Sequence, residues 1–144
     1  MSLRVASCLA AALLLSLPIA CGSSQTASQA ELTKRADQRL NGAWMLTSFT
    51  PDQDFEPAVA SLVQAQFGTL RIDVANGQFT ASGTALSTSR RYRILGVQGE
   101  RVSIVIEEPS GVGYDVLAEF RGNELYFDSQ TSPWRGRGTL KRVP

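Results

Sequence analysis

The chain has 144 residues, with 14 lysines and arginines, 13 aspartates and glutamates and no histidine, for a net charge of +1. That length supports one domain with one core. A balanced charge gives no electrostatic footprint for nucleic acid, and the lack of histidine removes the commonest general base and zinc ligand.

The amino terminus and Arg4 form a short positive region ahead of an apolar run from Val5 to Ala20. The run is shorter than the roughly 20 apolar residues of a spanning helix, and Pro18 interrupts its end. Residues 1–20 therefore read as an export signal ending at Cys21. Ala20-Cys21 resembles the bacterial lipoprotein signal, in which a small residue precedes an acylated cysteine; Pro18 stands where that family usually has leucine. The resemblance implies lipid attachment, palmitate included, at Cys21. Gly22, in place of an aspartate, implies an outer-membrane lipoprotein facing the periplasm or the cell surface. The alternative for Cys21 is an ordinary buried or bridged cysteine, but the only other cysteine, Cys8, lies inside the signal. A lone cysteine in an oxidising compartment favours modification.

Removing residues 1–20 from 144 leaves 124, and the loss of Arg4 leaves 13 basic against 13 acidic side chains, a net charge of zero. The small, uncharged residues 22–29 predict a tether. Residues 31–40 are helix-permissive, with Ala36 and Leu40 on one face. Residues 21–40 thus comprise the lipidated cysteine, a flexible tether and a short lead-in helix, and Asn41-Gly42 opens the domain at 41–144.

Alternation predicts a first strand over 43–50, with Trp44, Leu46 and Ser48 on one face and Met45, Thr47 and Phe49 on the other. Residues 55–66 form the one helix within the domain, with Phe55, Val59, Leu62, Val63 and Gln66 in an apolar stripe. Its start gathers Asp52, Asp54 and Glu56, which suit a helix N-terminus better than a calcium loop. Further strands are predicted over 69–74, 78–85, 90–97, 101–107, 113–121, 124–129 and 134–143. Asn76-Gly77 is a strong hairpin signal. Short connections force antiparallel neighbours, so the fold class is mainly β: an eight-stranded antiparallel up-and-down meander barrel with one short helix after the first strand.

Gly42-Ala43-Trp44 at the first strand and a basic last strand resemble the lipocalin-like families of the calycin superfamily. The resemblance implies that an arginine or lysine of the last strand packs across the tryptophan and closes the barrel. Parity chooses the residue: Gly136, Gly138, Leu140 and Arg142 share a face, so an inward Leu140 carries Arg142 inward towards Trp44.

The inward set is apolar and leaves open a filled core or a small pocket. For a pocket, the expected ligand-binding residues are Tyr92, Tyr114, Phe79, Phe120, Phe127 and Leu62, with the two phenols as polar handles and the helix as a lid. Arg90, Arg91 and Arg93 with Arg135, Arg137 and Lys141 offer a basic stripe, or a solvated face that protects strand edges. Glu107 and Glu108 point to opposite faces and cannot share a site. No catalytic residue, metal site or cofactor is expected, because no activated nucleophile accompanies the serines and threonines. The expected function is a lipid-anchored cell-envelope protein, not an enzyme, whose barrel binds a small apolar or amphipathic ligand. The alternative is an envelope accessory protein that holds a protein partner through the barrel exterior or the helix at 55–66.

Overall fold

Asn76 and Gly77 both adopt positive φ, 54° and 72°, the backbone of a tight hairpin whose twist matches that of its strands. The computed structural model describes residues 23–84, 87–130 and 135–144. The hairpin joins β2 (Arg71–Ala75) to β3 (Gln78–Ser82), and the same rhythm runs through the chain. The other strands are β1 (Gly42–Pro51), β4 (Ser87–Gln98), β5 (Arg101–Glu107), β6 (Gly113–Arg121), β7 (Glu124–Ser129) and β8 (Gly136–Val143). Each pairs antiparallel with its sequence neighbours, and β8 returns to β1, so the sheet is a closed eight-stranded barrel. Closure satisfies both edges of the sheet.

Among the described residues two helices accompany the barrel: α1 (Ser23–Leu40) before β1 and α2 (Pro57–Ala65) between β1 and β2. α1 starts at Ser23 instead of at Glu31, so much of the segment expected as a flexible tether is helical. The export signal at 1–20, Cys21 and the start of the last expected strand at Trp134 lie outside the described residues. None of the described helices is long and apolar enough to cross a membrane.

Bulges set which side chains face in. Between Leu46↔Leu140 and Ser48↔Thr139 the register shifts by one residue, leaving Thr47 extra. Its hydroxyl donates to the Thr139 carbonyl at 3.1 Å. An extra residue reverses the parity beyond it, so Phe49 turns inward and Ser48 outward, the opposite of simple alternation. A second shift, between Ile94 and Gly96 of β4, brings Val97 into the core.

The two barrel ends differ. The β2–β3, β4–β5 and β6–β7 turns gather at the end where β1 begins and β8 finishes. That end is solidly packed: Trp44, Val102 and Ala118 are each only 1 % exposed. The last turns of α1 complete it, with Ala36 and Leu40 buried in the same cluster. The opposite end lies beneath α2, none of whose residues is buried.

Candidate functional site

Inside the barrel, between the packed end and α2, lies a cavity of about 560 Å³, within the range of about 300–1,000 Å³ typical of small-molecule sites. Leu40 and Leu46 form its floor; Ile72, Phe79, Ile104, Val116 and Phe127 belong to its walls. Phe49, inward because of the Thr47 bulge, stacks against Phe127 with ring centroids 6.2 Å apart. Val59, Leu62, Val63 and Gln66 of the α2 stripe and its end border the mouth. Leu62 stays 56 % exposed, so the helix overhangs the opening without sealing it.

Of the six residues expected to bind a ligand, Leu62, Phe79, Tyr92, Tyr114 and Phe127 line this cavity. Phe120 does not. It faces inward but at the level of the packed end, buried to 4 % exposure, with the Arg39 guanidinium carbon 4.0 Å from its ring centroid. α1 brings Arg39 there, and its docking leaves no periodic signal in the strands.

The two phenols are already engaged. Tyr92 donates its hydroxyl hydrogen to Asp37 Oδ1 of α1 at 2.6 Å. Burial, reinforced by the Asp37 hydrogen bond and charge, pushes this phenol well above its ordinary value of 10.0. Tyr92 therefore supports α1 from inside the barrel and is a wall, not a handle. Tyr114 sits at the mouth beside Glu108, which accepts its hydrogen bond and raises its pKa. Glu108 and Arg90 line the same mouth. Both were legible as cavity residues: Arg90 shares parity with Tyr92, and Glu108 with Ile106 and Ile104.

Gln66 has another character. It is buried at 9 % exposure and borders the cavity, yet its Oε1 has no hydrogen-bond partner among the described residues. Its Nε2 makes only a long bond, 3.4 Å, to the Leu62 carbonyl. The amide packs directly against Gly83, where a Cβ would collide with it.

Comparison with protein-family models, curated proteins and solved structures finds no match. The site is therefore read on its own geometry.

At the packed end Trp44 and Arg142 are cross-strand partners, and the Arg142 guanidinium carbon lies 4.3 Å from the centre of the Trp44 ring. The same guanidinium donates to the backbone oxygens of Asn41, at 2.9 Å, and of Arg39. Trp44 Nε1 donates to the Leu40 carbonyl at 2.8 Å. These carbonyls are at the C-terminal end of α1, where helix oxygens have no partner in the helix and attract cations. Arg39 adds an ion pair with Glu100 at 2.6 Å, which holds that carboxylate below its ordinary pKa. Closing the barrel and docking α1 are thus one structure.

The expected basic stripe divides. Arg90 faces the cavity while Arg91 and Arg93 face out. Their strand, β4, is separated from β8, which carries Arg137 and Lys141, by three strands either way round. Among the described residues no group of three or more acidic or cysteine side chains is arranged to hold a metal ion.

Proposed function

We propose that this chain is a lipid-anchored cell-envelope protein whose lipocalin-like barrel binds a small apolar or amphipathic molecule. The cavity carries the reading: a 560 Å³ space walled by apolar side chains and partly covered by an unsealed helix. Apolar surface gains by leaving water, at about 25 cal/mol per Å², so a hydrocarbon ligand is the natural occupant of such walls. The signal-like residues 1–20, Cys21 and Gly22 support delivery to the outer membrane, with the acyl chains on Cys21 as the membrane partner.

The test is occupancy. The purified protein is extracted with organic solvent and the extract analysed by mass spectrometry; a fluorescent fatty-acyl probe is then titrated, with energy transfer from Trp44. A released small molecule and saturable probe binding are expected. Val116→Trp, which fills the cavity, should abolish binding while the far-ultraviolet spectrum persists. No released molecule and no probe binding across a broad panel would overturn the proposal.

One observation favours a second reading, in which the exterior holds an envelope protein. Leu95 and Leu117 are 54 % and 43 % exposed on the outer wall, on strands either side of Ser103. A Leu95→Ser/Leu117→Ser variant that loses a cross-linked envelope protein but keeps probe binding would select this reading for the exterior.

A further inference from the structure

The mouth of the cavity holds a cation that has no carboxylate partner among the described residues. Arg90 pairs with Phe79 across β3 and β4 and turns its side chain inward with Thr88 and Tyr92. Its Nη1 donates to the backbone oxygen of Ser89 at 2.9 Å, and it forms no ion pair among the described residues. Glu108, on the same rim, is engaged by the Tyr114 hydroxyl, and Arg90 is near enough to Tyr114 to oppose the effect of Glu108 on that phenol. By contrast, the outward Arg93, Arg101 and Arg121 all pair with glutamates. Arg142, the other inward arginine, is spent on helix carbonyls and the Trp44 ring.

A guanidinium against an apolar wall loses hydration and needs a matched acceptor. Its planar array of five donors suits the paired oxygens of a carboxylate or phosphate ester. Among the described residues, one of these donors meets a protein acceptor, the Ser89 carbonyl. The apolar walls continue inward from Arg90 past Phe79 to Leu46, so a chain attached to an acid group at Arg90 has a path into the barrel.

We infer that the ligand is a single-chain amphiphile with a singly charged acidic head group, the acid held by Arg90 at the mouth and the chain lying in the barrel. Glu108 on the same rim sets the limit on charge, because a second negative charge would face it. This rests on the cavity being the ligand site, and the experiment separates the two claims. Matched C14 probes are titrated into the protein: a carboxylate, an alkyl methyl phosphate diester that likewise carries one negative charge, a primary alcohol and a primary amine. The carboxylate or the phosphate should bind about tenfold or more tighter than the alcohol, the scale of a hydrogen bond to a charged group, and the amine weakest. Arg90→Gln should erase that preference by bringing the acids down to the affinity of the alcohol, while Arg91→Gln on the outer face should leave the preference intact. The carboxylate and phosphate arms identify which acid is preferred. Equal binding of acid and alcohol to the wild type, or a preference that survives Arg90→Gln, overturns the Arg90 inference alone. Failure of every chain to bind overturns the cavity as a ligand site as well.

Discussion

Arg142 and Trp44 meet face to charge across β1 and β8, and both then reach out of the barrel to the last carbonyls of α1. Removing the guanidinium takes away the cation–π contact and leaves the Asn41 and Arg39 oxygens to water. Arg142→Ala should destabilise the domain by about 2–4 kcal/mol, summing a partly buried cation–π contact and charged hydrogen bonds. Arg142→Lys should recover only part, since an ammonium cannot lie flat on the ring and reach both oxygens. Urea denaturation of the two variants, with Trp44→Phe in a double-mutant cycle, measures the coupling. A coupling energy near zero would mean that the two side chains are merely adjacent.

Gly42 is part of the same device. Its φ is +127°, and a Cβ there would lie 2.6 Å from Arg142 Nη1. Gly42→Ala should therefore cost about 1–3 kcal/mol, from backbone strain together with displacement of the guanidinium. Much of the second part should vanish in Arg142→Ala, where there is nothing to displace. The expected result is a smaller loss from Gly42→Ala in the Arg142→Ala background, read from the same urea curves.

These contacts show where sequence reasoning reached and where it stopped. Strand alternation and hairpin turns are local signals, so the meander follows from the short connections, closure from the number of strands, and the inward direction of Arg142 from parity once the family resemblance implies a basic residue against Trp44. Phe49 escaped because a single extra residue, Thr47, reverses parity without any glycine or proline to mark it. The helix over 31–40 was legible, but the first turns of α1 and its docking escaped for a different reason. Residues 22–29 are small and uncharged, weak formers of an isolated helix, and its docking depends on partners far away in the chain: Tyr92, Glu100, Phe120 and Arg142. The misplacement of Phe120 in the ligand set has the same origin. Arg90 was visible by parity, but strings of neighbouring arginines suggest a surface stripe before they suggest a cavity wall.

Tyr92 makes a prediction at alkaline pH. Its folded pKa lies above the unfolded value of 10.0. The native state therefore holds the phenolic proton where the unfolded state has lost it. Its stabilisation is complete below pH 10 and falls as the pH rises towards the folded value. Urea midpoints measured from pH 8 to 11 should drop above pH 10. Tyr92→Phe should start lower, by about 1–3 kcal/mol for a lost hydrogen bond to a charged group, and show a shallower alkaline decline. Parallel curves for wild type and variant would rule out Tyr92 as the titrating group.

The anchor proposal has its own test in Cys21. With acyl chains on this residue, the wild-type protein should partition into the membrane fraction and take up radiolabelled palmitate. Two acyl chains are needed for firm anchoring, each methylene adding about 0.8 kcal/mol. Cys21→Ser should lose the label. It should either appear in the soluble envelope fraction or remain as a precursor of slower gel mobility. A wild-type protein that is soluble and unlabelled would defeat lipid attachment while leaving the cavity untouched.

Gln66 supplies the last prediction, and its sign is unusual for a buried side chain. An unpaired buried carbonyl oxygen costs about 1–3 kcal/mol relative to a satisfied one, and Gln66 Oε1 has no partner among the described residues. The side-chain bond to Leu62 is long, so little is lost by removing the amide. Gln66→Met has nearly the same length and enough flexibility to avoid Gly83. It should leave stability unchanged or raise it by up to about 1 kcal/mol, whereas most core substitutions destabilise. It should also tighten binding of a purely apolar probe, because an apolar thioether chain replaces the amide at the cavity border. If Gln66→Met instead destabilises the fold and weakens every probe alike, the amide is a structural bond and not an unmet polar group at the ligand's border.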